Sequence, residues 1–206
     1  MHARTTTVQA RREGIDRGIA LMRDDVMPQV QDVAGCIGMS MLVDRTSGRC
    51  VLTTAWSDAD AMHASAQTVR PLRDRLTEVL GGAPTIEEWE IAVLHRRRTA
   101  DGGACARVTW LRAGPGGIDQ AVDTYRSQVL AGLDDLPGFC SASLLVDRSS
   151  GRAVSSVAYE SREALQASRA GADDLRMRTV RQLQAEVLET AEFELALSEL
   201  RVPETV

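Results

Sequence analysis

The chain has 206 residues, a formal net charge of −5 and 44% hydrophobic residues, of which few are aromatic. The negative charge argues against a nucleic-acid-binding protein, which usually presents a basic face. No segment reaches the roughly 18 apolar residues that a membrane span requires. Residues 1–12 also lack the apolar stretch of a signal peptide. We therefore expect a soluble, cytoplasmic protein that contacts neither nucleic acid nor a membrane.

A nine-residue segment occurs twice in the chain, 103 residues apart. Residues 41–49 read MLVDRTSGR, and residues 144–152 read LLVDRSSGR. Each copy has an apolar run, a polar turn with a glycine, and a second β-rich run that ends at Trp56 or Tyr159. This pattern predicts a β-hairpin. Its recurrence predicts a tandem repeat.

The rest of each copy also follows the 103-residue spacing. A first strand is predicted over residues 3–10 and 106–113, because the second copy is rich in β-branched and aromatic residues. A helix follows, with apolar residues spaced by three and four positions from Ile15 and from Ile118. Pro28 in the first copy and Gly132 in the second predict that this helix ends or kinks there.

A strand, the hairpin, a second helix and a last strand complete each copy. Ser57 to Asp60 predict the start of the second helix in copy one, and Gly81 predicts its end. In copy two we expect this helix over residues 161–189, with a break near Gly171. The last strand is predicted over residues 89–94 and 193–197. Here the two copies lie 104 residues apart, because the second copy has one extra residue.

Each copy is thus predicted to be a βαββαβ ferredoxin-like module. We place module 1 at residues 1–98, a linker at 99–103 and module 2 at 104–206. A four-stranded sheet with both helices on one side leaves its other side bare, so each module needs a partner. We expect an α+β protein whose two modules pack sheet to sheet as an intramolecular dimeric α/β barrel. It would exist as a monomeric pseudo-dimer or as a homodimer.

The four cysteines, Cys36, Cys50, Cys105 and Cys140, show no CxxC pair and no metal-ligand spacing. If the hairpin pairs Val43 with Cys50, Cys36 falls opposite Ser57, too far from Cys50 for a disulfide. We expect free thiols and no metal site.

Several segments resemble the antibiotic biosynthesis monooxygenase (ABM)-like family of dimeric α/β barrels. The resemblance rests on the corner between Pro28 and Gly35, on Leu136-Pro137-Gly138-Phe139, and on the segments Trp56-Ser57-Asp58 and Tyr159-Glu160-Ser161. It covers nearly the whole chain, as a fusion of two modules that are usually separate chains. It implies a monooxygenase that needs no cofactor and oxidises a small aromatic or polyketide-like metabolite. A non-catalytic ligand-binding protein or a structural protein remain the alternatives.

The family pattern matches this chain only in part. The phenol-oxidising branch implies an Asn four residues before Trp56 and a Tyr six residues after it, where this chain has Leu52 and Met62. The corresponding positions in module 2 are Ser155 and Leu165. The haem-degrading branch needs an Asn on the first strand, and the chain contains no Asn.

Five residues are candidates for binding a small hydrophobic or aromatic ligand: Trp56, His63, Trp110, Tyr125 and Tyr159. Trp56 and Tyr159 would form a pocket wall, or they would simply fill the core at a strand end. His63 would accept a proton near neutral pH, or it would lie exposed on the flank of a helix. Glu88 and Glu90 share one face of the last strand, where we expect them to pair with arginines.

Overall fold

The computed structural model describes residues 1–100 and 102–200. Its strands are β1 (His2–Gln9), β2 (Cys36–Asp44), β3 (Arg49–Trp56), β4 (Pro84–Arg96), β5 (Cys105–Arg112), β6 (Phe139–Asp147), β7 (Arg152–Tyr159) and β8 (Glu186–Leu200). They follow the hydrogen-bonded order β1-β3-β2-β8-β5-β7-β6-β4 and close into a barrel. The predicted α+β class and the barrel built from two βαββαβ modules are confirmed.

The helices lie between these strands in the predicted places. In the first repeat they are α1 (Arg12–Leu21), α2 (Met27–Gln31), α3 (Ala59–Ala64) and α4 (Ala66–Leu80). In the second repeat they are α5 (Gly117–Thr124), α6 (Leu130–Asp134), α7 (Arg162–Ala167) and α8 (Arg169–Leu183). No helix of the described residues is both long and apolar enough to cross a bilayer.

The chain divides into two compact units whose boundaries fall inside β4 and β8. Residues 1–89 with 194–200 form unit 1, and residues 90–193 form unit 2. In unit 1, residues 194–200 of β8 pair with β2. In unit 2, residues 90–96 of β4 pair with β6. The repeat boundaries at 98 and 104 describe the sequence repeat, which is a different division of the chain, and they stay a prediction.

Each unit has its own apolar core between its sheet and its helices. In unit 1, Met22 and Val26 of the first helical segment pack with Met41 and Val43 of β2. In unit 2, the residues 103 positions later do the same: Tyr125 and Val129 pack with Leu144 and Val146. The helical stripe that predicts these cores is confirmed.

The hairpin register is as predicted, except at the start of β2. Val43 is paired with Cys50, but Cys36 lies opposite Trp56 and not opposite Ser57. The difference arises because a β-bulge between Cys36 and Gly38 adds one residue to β2, as bulges do. All four cysteines are free thiols.

The first helix of each repeat contains a wide turn that the sequence pattern did not predict. A π-helical segment at Met22–Val26 joins α1 to α2, and another at Tyr125–Val129 joins α5 to α6. The helix continues past Pro28 to Gln31, so it does not end at Pro28, and the alternative of a kink there stays a prediction. Proline does not cause the wide turn, because the second repeat has Ala131 at the matching position.

The second helix and the last strand differ from the prediction in extent. The helix is interrupted at Ser65 and at Ser168, and not near Gly171. It ends at Leu183, and β8 already begins at Glu186. Since α4 and α8 end exactly 103 positions apart, the extra residue of the second repeat lies after α8.

Gly138 tests how tightly the corner before β6 is packed. Gly138 and Gly151 have left-handed φ angles of 66° and 68°. A Cβ atom at Gly138 would lie 2.3 Å from Cβ of Ala164, whereas at Gly151 it would meet nothing within 4 Å. We expect Gly151→Ala to cost about 1–2 kcal/mol of unfolding free energy through φ alone. Gly138→Ala should cost more, as measured by urea denaturation; equal losses would contradict the packing argument.

Candidate functional site

A buried arginine on the first strand is the central polar group of unit 2. Arg107 of β5 is only 5% exposed. Its Nη2 lies 3.0 Å from Oε1 of Glu192 on β8 and donates to the carbonyl oxygen of Leu165 at 3.2 Å. The guanidinium group is thus held between the first strand, the last strand and the end of α7.

A cavity of about 90 Å³ lies beside this arginine, between the sheet and α8. Its walls are almost entirely apolar. The residues that line it include Arg107, Tyr125, Ser155, Tyr159, Ala172 and Thr179. The cavity belongs wholly to unit 2, because all of its lining residues lie within residues 90–193.

Tyr125 begins the π-helical segment and lies against the cavity. Its hydroxyl is 2.9 Å from Oγ of Ser155 on β7. Burial raises the pKa of Tyr125 to about 12, against the hydrogen bond from Ser155, which favours the ionised form. Wide helical turns often occur at functional sites, and this one places a tyrosine where unit 1 has Met22.

Tyr159 ends β7 and is fully buried. The guanidinium carbon of Arg107 lies 5.8 Å from the centre of the Tyr159 ring. Burial raises the pKa of Tyr159, and nearby Ser168 and Arg107 partly offset this effect. Among the described residues, the Tyr159 hydroxyl has no hydrogen-bond partner.

The carboxylate that pairs with Arg107 also contacts a second arginine. Glu192 lies 2.8 Å from Nη2 of Arg169, the first residue of α8. Gln166 also donates to Glu192, at 3.3 Å. The Glu192 carboxylate therefore forms ion pairs with two guanidinium groups.

Unit 1 contains the same frame with a smaller cavity, of about 30 Å³. Arg4 of β1 pairs with Glu88 of β4 at 2.8 Å and donates to the carbonyl oxygen of Met62 at 2.9 Å. Its Nη1 also donates to Oγ of Ser65, at 3.4 Å. The two arginines and their carboxylates are thus equivalent by position, but their surroundings have diverged.

The five sequence-predicted ligand residues occupy different environments. Tyr125 and Tyr159 line the cavity of unit 2. Trp56 is fully buried and donates its Nε1 hydrogen to Thr54 at 3.0 Å, and it is not among the residues that line the cavity of unit 1. The binding role of all five stays a prediction.

His63 and Trp110 lie outside both cavities. The His63 side chain is 61% exposed, and its Nε2 is 3.2 Å from Glu88. Trp110 packs edge-on against Phe193, with 6.3 Å between the ring centres. The structure therefore does not bring these two side chains together with Tyr125 and Tyr159.

Arg107 and Glu192 were missed as site residues by the sequence reasoning. A signal was present: an arginine recurs in both first strands, at Arg4 and Arg107, and a glutamate recurs in both last strands, at Glu88 and Glu192. The pairing of Glu88 with an arginine was expected, but without the fold nothing indicates which arginine it contacts or that Arg4 and Arg107 are buried. In residues 1–100 and 102–200, no group of three or more His, Cys, Asp or Glu side chains could hold a metal ion.

Solved structures of other proteins share this fold. A "putative monooxygenase" from Lactobacillus acidophilus NCFM superposes with a TM-score of 0.73 at 7% identity, over 97% of this chain and 96% of the other. A Listeria monocytogenes 4b F2365 ferredoxin-fold protein related to antibiotic biosynthesis monooxygenases gives a TM-score of 0.53 at 7% identity, over 95% of each chain. The fold is therefore that of the ABM-like dimeric α/β barrels, as the resemblance implied.

Sequence comparison then gives the family. The chain is 52% identical over 206 residues to the uncharacterized protein Rv2557 of Mycobacterium tuberculosis (strain ATCC 25618 / H37Rv), covering 100% of this chain and 92% of the relative. The chain belongs to the family of that protein. No protein-family model matches it.

The two tyrosines of the chain provide a direct test of this site. Tyr125 and Tyr159 are the only tyrosines. In the unfolded chain both should ionise near pH 10, whereas in the folded protein Tyr125 should ionise only near pH 12. The unfolded state then releases its proton first, so stability should be unaffected below about pH 10 and fall between about pH 10 and 12.

This difference is measured by following tyrosinate absorbance against pH, once for the folded protein and once for the protein unfolded in guanidinium chloride. Tyr125→Phe should remove the group that ionises near pH 12, so that only Tyr159 contributes to the titration. Two tyrosines that both ionise at the unfolded value would show that the site is open to water.

Proposed function

We propose that unit 2 binds a small, single-ring organic ligand in the cavity between its sheet and α8. The observation that carries this proposal is the cavity itself, about 90 Å³ with almost wholly apolar walls. Binding pockets are typically apolar with a few placed polar groups. Here those groups are Arg107 and the hydroxyls of Tyr125, Ser155 and Tyr159.

The size of the cavity limits the ligand. Pockets for drug-sized molecules start at about 300 Å³, so a polyketide with several fused rings exceeds the space. An engineered cavity of about 150 Å³ accepts benzene. A single substituted ring, accommodated by a modest shift of α8, therefore fits better than the polyketide-like metabolite that the family resemblance also allows.

Unit 1 supplies a natural negative control for this cavity. Val69 and Leu76 of α4 line its 30 Å³ cavity. The matching residues of α8 are Ala172 and Thr179, which are smaller and leave more space. Replacing these two residues of unit 2 with those of unit 1 should therefore fill the cavity with side chains that already occur at the same positions of the fold.

Ligand-induced stabilisation tests this proposal. We expect substituted phenols to raise the Tm of the protein, by the equivalent of about 2.7 kcal/mol at a ligand concentration 100 times Kd. The double variant Ala172→Val/Thr179→Leu should lose this stabilisation, while Val69→Ala in unit 1 should keep it. If no single-ring compound changes the Tm of the wild-type protein, the proposal is wrong.

Oxidation of the bound ligand by molecular oxygen is a second candidate function. The hydrogen-bonded hydroxyls of Tyr125 and Ser155 line the cavity and would position the hydroxyl of a phenol. The fold shared with the "putative monooxygenase" from Lactobacillus acidophilus NCFM supports this candidate. In the balanced reaction, one oxygen atom enters the ring to give a quinone, and the other leaves as water with the two displaced hydrogens.

Oxygen uptake separates catalysis from binding. With an electron-rich phenol and no added cofactor, a monooxygenase should consume one O₂ for each quinone formed, in an oxygen-electrode assay. Tyr125→Phe should slow this reaction by about 10²–10⁴-fold if the hydroxyl takes part in proton transfer. Binding without oxygen uptake would identify a non-catalytic ligand-binding protein.

A further inference from the structure

Two buried polar atoms at the cavity of unit 2 have no hydrogen-bond partner among the described residues. They are Nη1 of Arg107 and the hydroxyl oxygen of Tyr159. Arg107 is 5% exposed and Tyr159 is 0% exposed. Buried polar groups are nearly always hydrogen-bonded, so an unpaired group in a native structure calls for an explanation. Two of them beside one cavity point to a shared cause.

The equivalent atoms in unit 1 are all paired. Nη1 of Arg4 donates to Ser65, at 3.4 Å. Trp56, which occupies the position of Tyr159, donates to Oγ1 of Thr54 at 3.0 Å. In unit 2 the position of Thr54 is taken by Val157, which has no polar side-chain atom. In unit 1 these atoms are therefore paired, whereas in unit 2 Nη1 of Arg107 and the Tyr159 hydroxyl, which lie near each other, make no direct hydrogen bond to a described residue.

The charge around the cavity of unit 2 is also unbalanced. Glu192 is shared by Arg107 and Arg169, at 3.0 and 2.8 Å. In unit 1 the position of Arg169 is Ala66, and Glu88 pairs with Arg4 and the partly exposed His63. Arg176, which also lines the cavity, is matched by Asp173 at 3.0 Å. The cluster of Arg107, Arg169 and Glu192 therefore carries one excess positive charge.

We propose that the ligand of unit 2 carries an ionised oxygen, a phenolate or a carboxylate, which accepts hydrogen bonds from Nη1 of Arg107 and the hydroxyl of Tyr159. This inference rests on the proposed binding function and specifies its ligand class. Hydrogen bonds to an ionised acceptor are the stronger kind, and the apolar walls leave the anion few competing contacts. The ring lies against these walls, and the oxygen neutralises the excess charge.

The ionisation of a bound phenol tests this inference directly. We use 4-nitrophenol, whose phenolate form absorbs visible light and whose neutral form does not. A cationic group within about 4–6 Å lowers the pKa of an acid by about 1–3 units. Burial alone raises the pKa of a phenol, as it does for Tyr125. We therefore expect the pKa of bound 4-nitrophenol to be lower by that amount in the wild-type protein than in Arg107→Gln. Benzoate against neutral benzamide tests whether the site prefers a carboxylate over an uncharged ring of similar size.

Four variants separate charge from structure. Arg107→Gln should abolish the shift in the pKa of the bound phenol, whereas Arg4→Gln removes the equivalent buried pair of unit 1 and should leave the shift intact. Arg169→Ala leaves Arg107 paired with Glu192 and introduces the unit 1 residue, so it should reduce the shift. Glu192→Gln removes a negative charge and should enlarge it. The last two variants should therefore change the pKa of the bound phenol in opposite directions, which a general loss of stability would not do.

The outcomes separate this inference from the proposed function. If 4-nitrophenol binds with the same pKa in the wild-type protein and in Arg107→Gln, the two donors hold water or nothing and the anion inference is wrong. Benzamide binding as tightly as benzoate, with no shift for 4-nitrophenol, leads to the same conclusion while binding itself stands. If neither phenol, benzamide nor 4-nitrophenol binds, the proposed function fails and the inference fails with it.

Discussion

The ion pair between a buried arginine of the first strand and a glutamate of the last strand is the constraint on which each unit depends. Arg4 with Glu88, and Arg107 with Glu192, join strands that lie more than 80 residues apart in sequence. A buried guanidinium loses its hydration, so it must be paired and hydrogen-bonded to be tolerated. Each arginine therefore also binds the carbonyl oxygen of Met62 or Leu165. This fixes the short helix before the Ser65 or Ser168 break against the sheet.

The two units have kept this frame and diverged around it. In unit 1, Met22, Val69 and Leu76 line a cavity of only about 30 Å³, and Ser65 accepts a hydrogen bond from Arg4. In unit 2, Tyr125, Ala172 and Thr179 leave about 90 Å³ beside an incompletely paired arginine. One repeat of the chain thus acts as a packed half, and the other retains the features of a binding site. Internal duplication permits this, because one copy can keep the fold stable while the other changes its lining.

The sequence predicted the regular parts of the fold well and its irregular parts poorly. The hairpin register at Val43 and Cys50 followed from local pattern, because strand alternation and turn residues act over a few positions. The wide turn at Tyr125 was not predictable, since the apolar residues around it are spaced by three and four positions, as in a regular α-helix. The length of β8 was missed because residues 186–192, EVLETAE, lack the alternation of apolar and polar residues that predicts a strand. Pairing with other strands makes them a strand, against their local preference.

Of the candidate site, the sequence by itself determined the chemical inventory: two tyrosines, no asparagine, and a repeated arginine in the first strands. It also determined the duplication and hence the class of fold. Only the tertiary structure decided which of these groups meet. Trp56 and Tyr159 occupy matching strand ends, yet Trp56 forms a hydrogen bond with a neighbour and, in the part of the chain that the structure describes, Tyr159 does not. The reason is the residue two positions earlier on each strand, which is Thr54 in one case and Val157 in the other. Burial, pairing and cavity volume depend on contacts between distant segments, and no local pattern encodes them.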